Sequence, residues 1–214
     1  TGGLKNWSLT AGELPNYGAV SGINMTGNTL LYHLNESSGN IIDYSGDGRT
    51  GTNSNAAYNA TGILNGTALS FNGVNSSLSF TQIDTSLLNG WSAFAWIKGY
   101  YSNVDMSDIF GGDVLVVRSW SKLQYWDGTS SCSSNDTIPQ NTWVDVGVVC
   151  DNSTHTVKLY INGVLNGSCT DVSINCAYYH SARISYVGSS NRASYRFNGT
   201  IDEPSVWNRT LSDS

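Results

Sequence analysis

The chain has 214 residues, a length typical of one large sandwich or barrel domain and short for two ordinary domains. Only 12% of the residues are charged and the net charge is −6, so the clustered cations that a nucleic-acid backbone requires are missing. No apolar run approaches the roughly 18 residues of a membrane-spanning helix, which argues against membrane insertion.

The first 27 residues differ from the rest of the chain. They are rich in glycine and show little alternation of apolar and polar residues, so we interpret residues 1–27 as an extended N-terminal arm. From residue 28 onwards, short apolar runs separated by turn residues recur, as is typical of β-strands. The predicted strands lie at 30–34, 68–71, 78–80, 94–97, 114–117, 123–126, 144–148, 157–161, 184–187 and 201–207. About a dozen short strands predict an all-β domain over residues 28–214, either a two-sheet sandwich or a jelly roll.

Two Asn-Gly pairs predict tight hairpin turns between these strands. The pair at 72–73 separates the runs at 68–71 and 78–80, and the pair at 162–163 follows the run at 157–161. Valines alternate with other residues over 144–148, so we expect that strand to bury one face.

Four cysteines, an even number, predict two disulfides in an oxidising compartment. No Cys-x-x-Cys spacing is present, which argues against zinc binding and thioredoxin-like chemistry. Cys150 and Cys169 end predicted strands that run in the same direction, so both should lie at one end of the sheet. We therefore favour the pairs Cys150–Cys169 and Cys132–Cys176, with a short local Cys169–Cys176 link as the alternative.

Eleven Asn-x-Ser/Thr triplets, about twice the number that this composition would give by chance, are the strongest indication of compartment. They begin at Asn6, Asn24, Asn35, Asn59, Asn65, Asn75, Asn135, Asn152, Asn166, Asn198 and Asn208. Polar loops rich in Asn and Ser are one explanation. We favour dense N-glycosylation, because covalent glycans would supply the solubility that charged side chains usually provide. The chain begins at Thr1 without a signal peptide, so we expect a mature, extracellular or cell-surface form.

Six stretches follow one another along most of the chain. They are the residues at 31–39 (LYHLNESSG), 43–48 (DYSGDG), 68–74 (ALSFNGV), 94–98 (FAWIK), 157–163 (VKLYING) and 197–203 (FNGTIDE). In this order they resemble the laminin G-like branch of the concanavalin A-like lectin/glucanase superfamily. The resemblance covers about residues 28–214 and implies a jelly roll of two antiparallel sheets that binds glycans or proteins or serves as a spacer. Pro204 replaces the usual aliphatic residue, so we expect its strand to be an edge strand or locally bulged.

The resemblance also implies one structural Ca²⁺, with Asp202 as a ligand in the closing strand. The residues at 71–75 weaken this expectation, since asparagine stands at two positions where the family often has acids. A capping role for Asp202 and Glu203, or a pair with Arg209, is the alternative. No other cofactor is expected.

The sequence does not predict catalysis. Three glutamates are present, and none belongs to the paired carboxylates that a glycanase on this fold would use. No Gly-x-Ser-x-Gly motif supports a serine nucleophile. We interpret the acidic stretch at 105–113 as a solvated loop and expect the protein not to be an enzyme.

Two tryptophans are candidate sugar-binding residues. Trp120 and Trp126 lie on a predicted hairpin and should face one side, with Tyr125 opposite. Packing in the core is the alternative for both. Trp91, Trp96, Trp143 and Trp207 are expected in the core.

Two functions fit these observations. The first is a structural surface or filament subunit that assembles with copies of itself, either through the arm at 1–27 or through an exposed sheet edge. The second is a lectin-like adhesion module that binds carbohydrate or a partner protein. Triplets spread from Asn6 to Asn208 would leave little unshielded surface, so the sequence favours the structural function.

Overall fold

The computed structural model describes residues 25–63, 66–101, 106–112, 114–118, 120–176, 183–190 and 195–212, and most of the predicted arm therefore lies outside the described residues. These residues form fifteen strands and no helix, and they contain no helix suited to crossing a membrane. The strands are β1 (Asn28–Leu31), β2 (Thr52–Ser54), β3 (Ala57–Thr61), β4 (Thr67–Asn72), β5 (Ser77–Asp84), β6 (Gly90–Gly99), β7 (Met106–Phe110), β8 (Leu115–Arg118), β9 (Lys122–Trp126), β10 (Ser131–Thr137), β11 (Val144–Asp151), β12 (Thr156–Ile161), β13 (Val164–Thr170), β14 (Arg183–Val187) and β15 (Asn198–Trp207).

The strands form two antiparallel sheets packed as a sandwich, which confirms the predicted fold class. The eight-stranded sheet has the order β13-β12-β11-β6-β15-β4-β3, with β1 also paired to β15. The seven-stranded sheet has the order β10-β9-β8-β7-β14-β5-β2. Side chains alternate between the two faces of a strand, so each sheet turns one apolar face towards the other. Trp91, Tyr125 and Phe110 are among the large side chains fully buried in this core.

Strand β11 is buried on both faces, not on the one face that its alternating valines predict. Val144, Val146 and Val148 belong to the main core. A second apolar cluster covers the outer face of the eight-stranded sheet and buries Val149. Its other members are Phe94, Tyr160, Trp207 and Leu211.

The two Asn-Gly pairs have different roles. At 162–163 the prediction is confirmed: Ile161 pairs with Val164, and both turn residues have left-handed backbone, as a tight hairpin requires. At 72–73 the hairpin prediction is wrong, because β4 belongs to the eight-stranded sheet and β5 to the seven-stranded sheet. The Asn72 side chain accepts three backbone N–H groups in this turn, which crosses from one sheet to the other.

The disulfides join Cys132 to Cys169 and Cys150 to Cys176, so both predicted pairings are wrong. Cys150 and Cys169 do lie level with each other, but each pairs with Val157 from opposite sides of β12. Strands two apart are separated by about 10 Å, more than the roughly 7 Å that a disulfide spans. Cys132 reaches Cys169 instead across the sandwich, with a Cα–Cα distance of 5.7 Å.

Strand β15 contains a bulge where Pro204 was expected to disturb the ladder. The register against β6 shifts between Asp202 and Ser205, and Glu203 has a φ of 50°. The predicted bulge is confirmed, but β15 is an interior strand with β6 on one side and β4 and β1 on the other. Because proline has no N–H to donate, a bulge is how an interior strand accommodates it.

Candidate functional site

A groove of about 350 Å³ lies on the outer face of the seven-stranded sheet. It is formed where β8, β9 and β10 lie side by side. Its lining residues are Arg118, Trp120, Lys122, Gln124, Trp126, Ser131 and Ser133. Both candidate tryptophans therefore lie in one groove, together with five polar side chains that the sequence did not indicate as candidates.

Strand alternation places these side chains outside the core. Tyr125 is fully buried in the sandwich, while Gln124 and Trp126 on either side of it point outwards. On β10, Cys132 points inwards and its neighbours line the groove. The predicted orientation of Trp126 opposite Tyr125 is thus confirmed. The cross-strand pairs Ser131–Trp126 and Ser133–Gln124 then bring the outward side chains of β9 and β10 together.

Hydrogen bonds between side chains organise the floor of the groove across three strands. Arg118 Nε donates to Gln124 Oε1 at 2.7 Å, and Gln124 Nε2 donates to Ser133 Oγ at 2.9 Å. Lys122 Nζ donates to the backbone carbonyls of Ser134 and Asn135, at 3.1 and 2.9 Å. The floor side chains are therefore held in place before any ligand arrives.

Trp120 stands at the rim of this groove, in the β8–β9 turn. It is 86% exposed, so core packing does not explain it. Its φ is 79° and that of the following Ser121 is 58°, although neither residue is glycine. A bulky side chain with left-handed backbone is a genuine outlier, and such strain is concentrated at functional sites. Trp126, by contrast, is half-buried in the groove wall.

The remaining tryptophans differ in burial. Trp91 and Trp207 are buried as predicted, but Trp207 belongs to the outer cluster and not to the main core. Trp96 and Trp143 are only half-buried.

The acidic stretch at 105–113 is not the solvated loop that we expected. Asp108 lies in the middle of β7 and is fully buried, and it does not line the groove. The other two acids of the stretch lie outside the described residues.

Asp202 is buried and hydrogen-bonded to the backbone. Its Oδ2 accepts the N–H of Ile63 and its Oδ1 the N–H of Glu203, each at 3.0 Å. Burial raises the pKa of Asp202 to about 7. Among the described residues no three acids, histidines or cysteines cluster as a metal site. A capping role fits this geometry, and calcium binding by Asp202 stays a prediction.

Asp145 is a second carboxyl group with a raised pKa. It lies in a row with Asp202 across the outer face of the eight-stranded sheet, since both residues pair with Trp96 of the intervening β6. Burial without an opposing charge raises the pKa of Asp145 to about 7. Trp96 stands between the two carboxyl groups, which therefore do not form one acidic pair.

Eight of the eleven triplet asparagines belong to the described residues, and none of the eight is buried. The exposed ones are Asn35, Asn59, Asn75, Asn135, Asn198 and Asn208, and the half-buried ones are Asn152 and Asn166. Asn6, Asn24 and Asn65 lie outside the described residues. None of the eight described asparagines lines the groove. Asn135 on β10 lies near it, because its backbone carbonyl accepts a hydrogen bond from Lys122.

Three solved structures show the fold that surrounds this groove. Domain 4 of AbnA, an extracellular GH43 arabinanase from Geobacillus stearothermophilus solved with arabinotriose, is 23% identical with a TM-score of 0.61, over 87% of this chain and 94% of that domain. Botulinum neurotoxin type C, which depends on two ganglioside molecules to enter cells, is 16% identical with a TM-score of 0.63, over 88% and 49%. Trypanosoma rangeli sialidase, solved with 2,3-difluoro-KDN, is 10% identical with a TM-score of 0.65, over 88% and 31%.

At these identities the similarity establishes the fold alone, and the chain spans about half of the toxin structure and a third of the sialidase. No curated protein matches the chain. A laminin G-like family model, described as Concanavalin A-like lectin/glucanases superfamily, matches residues 71–214. That range is about two thirds of the sequence and includes every lining residue of the groove. The chain therefore belongs to the concanavalin A-like lectin/glucanase superfamily.

Proposed function

We propose that this chain is a non-catalytic carbohydrate-binding domain whose ligand occupies the groove on β8, β9 and β10. The exposed indole of Trp120 beside Trp126, above a polar floor, is the observation that carries this proposal. The apolar face of a sugar ring packs on an indole, while its hydroxyl groups need nearby donors and acceptors. Gln124, Ser131 and Ser133 supply such groups within the groove.

The similar structures support a sugar ligand. The arabinanase domain was solved with arabinotriose, and the type C neurotoxin interacts with gangliosides. Glycoside hydrolysis uses two carboxyl groups on either side of the scissile bond. No aspartate or glutamate is found among the described residues that line the groove, which supports binding without catalysis.

Glycan-array binding followed by calorimetry tests this function. Wild-type protein is expected to retain one or more glycans, and Trp120→Ala and Trp126→Ala to lose them. Tyr100→Ala is the matched control, because Tyr100 is an exposed aromatic residue outside the groove. Arabinotriose is the first soluble probe. A wild-type protein that retains no glycan, with and without calcium, would overturn the proposal.

A second proposal is an extracellular, N-glycosylated structural subunit that assembles with itself. Six exposed triplet asparagines support glycosylation, and two disulfides suit an oxidising compartment. The expected partner is a second copy, reached through the arm at 1–27 or a sheet edge. Electron microscopy of the protein from its native source should then show regular fibres that a deletion of residues 1–27 abolishes. Fibres unchanged by the deletion would refute the role of the arm.

A further inference from the structure

We propose that the groove selects an acidic sugar, one that carries a carboxylate or sulfate group, and that Arg118 binds this anion. This inference rests on the proposed carbohydrate-binding function and specifies its ligand class. It is carried by two cations, Arg118 and Lys122, that lie side by side in a groove with no acid among its described lining residues. The two residues are also cross-strand partners in the β8–β9 register, which fixes their proximity.

Neither cation forms an ion pair with a described residue of the chain. Among the described residues the ion pairs are His33–Glu203 and Arg49–Asp47, and neither involves the groove. The chain as a whole has a net charge of −6, so the positive charge of this groove is opposite in sign to the net charge of the protein. A local cluster of one sign in a recess raises the concentration of ligands of the opposite sign.

The hydrogen bonds leave the anion-binding atoms available. Arg118 donates from Nε to Gln124, and the two terminal nitrogens of its guanidinium have no hydrogen-bond partner in the described part of the chain. These nitrogens form the fork that binds a carboxylate or sulfate with two parallel hydrogen bonds. Lys122 gives two of its three ammonium protons to backbone carbonyls, which hold it without cancelling its charge.

The position of Trp120 favours a sugar over a free anion as the ligand of this site. Its indole follows Arg118 by two residues in the same turn, and both side chains line the groove. A free anion would bind to Arg118 and Lys122 without using an 86% exposed indole. A sugar ring with an anionic substituent uses both features, the ring on the indole and the substituent on the guanidinium.

Calorimetry with trigalacturonic acid, a sulfated galactotriose and neutral galactotriose tests the inference. Wild-type protein is expected to bind at least one acidic trisaccharide roughly 10- to 100-fold more tightly than the neutral one, the range for a charge-assisted hydrogen bond. Arg118→Gln should remove this preference, so that the acidic and the neutral trisaccharides bind with equal affinity. Lys98→Gln, a cation on β6 outside the groove, should leave the preference intact.

The outcomes separate this inference from the proposed function. Equal binding of acidic and neutral sugars that Trp120→Ala abolishes would overturn acid selection and keep the carbohydrate-binding function. A preference for acidic sugars that persists in Arg118→Gln would overturn the role of Arg118. Absence of binding to all three probes and to a wide glycan array would overturn both. Inorganic sulfate that competes as strongly as the sulfated trisaccharide would show that the groove holds an anion and no sugar.

Discussion

Nδ1 of His33 lies 2.9 and 2.8 Å from the two carboxylate oxygens of Glu203. His33 is buried, and Glu203 forms the bulge of β15, so the contact fixes the bulge against the chain that leaves β1. Removing the carboxylate takes away the hydrogen bond to a buried ring nitrogen of His33. We therefore expect Glu203→Ala to lower the free energy of unfolding by about 2 kcal/mol in urea denaturation.

The exposed pair between Arg49 and Asp47 is the matched control. Its atoms are 3.4 Å apart and both side chains are accessible to solvent. Asp47→Ala should cost less than about 1 kcal/mol. Equal losses for Glu203→Ala and Asp47→Ala would show that burial does not strengthen the His33 contact.

The left-handed backbone of Trp120 predicts that two substitutions at this position have the same effect on glycan binding and different effects on thermal stability. Trp120→Gly and Trp120→Ala both remove the indole and should both abolish glycan binding. Glycine adopts a φ of 79° without strain, whereas alanine at such an angle costs about 1–2 kcal/mol. Thermal unfolding should therefore occur at a higher temperature for the glycine variant than for the alanine variant. Equal melting temperatures would contradict strain in this turn.

The raised pKa of Asp145 predicts a stability that falls as pH rises. Burial raises this pKa from the ordinary value of 3.8 to about 7, so the folded state binds a proton that the unfolded state releases between those values. The contribution of Asp145 to stability is then greatest near pH 4 and decreases up to about pH 7. Asp145→Asn should match the wild type near pH 4 and exceed it above pH 7, by roughly 2–4 kcal/mol. Urea denaturation from pH 4 to 8 measures this, and parallel curves would contradict it.

Calcium binding at Asp202 can be tested by thermal unfolding. If Asp202 holds Ca²⁺, saturating calcium should raise the melting temperature of metal-free wild-type protein and leave Asp202→Asn unchanged. The variant separates this site from weak binding elsewhere on an acidic protein. An unchanged wild-type melting temperature after verified metal removal would exclude the ion at this position.

The accessibility of the triplet asparagines predicts their glycan occupancy. Asn75, Asn198 and Asn208 are exposed and should carry glycans in most copies. Asn166 is half-buried, and its Nδ2 donates to Asp136 Oδ2 at 2.6 Å, so its occupancy should be lower. Glycopeptide mass spectrometry of native protein measures this order. High occupancy at Asn166 with bare exposed sites would contradict it.

Local patterns in the sequence predict the strands, the sandwich and the outward face of β9. Alternation around Tyr125 is a property of one strand, so it holds whichever neighbours that strand acquires. The Asn-Gly pair at 162–163 predicts its hairpin for the same reason. The hairpin predicted at 72–73 does not form, because β4 and β5 join different sheets. Which sheet a strand joins depends on packing against residues far along the chain.

Properties that depend on strand order cannot be predicted in this way. The predicted Cys150–Cys169 pair required two strands that end at the same level of the sheet to be neighbours. In the structure β12 lies between Cys150 and Cys169. The floor of the groove likewise depends on register: Gln124 reaches Arg118 and Ser133 only because β9 lies between β8 and β10. One strand's sequence contains no signal for such neighbours.

The Cys132–Cys169 bridge has a consequence for how copies of this chain can associate. It joins β10 and β13, the terminal strands of the two sheets on one side of the sandwich, where Asp136 and Asn166 also exchange two hydrogen bonds. The bridge and these hydrogen bonds hold the two edge strands against each other, and one of the bonds occupies the backbone N–H of Asp136. The opposite rim consists of β2, with three residues, and β3, which is kinked at Asn59. Strand addition at that opposite rim would therefore meet a short or kinked edge, and such edges hinder pairing with another chain.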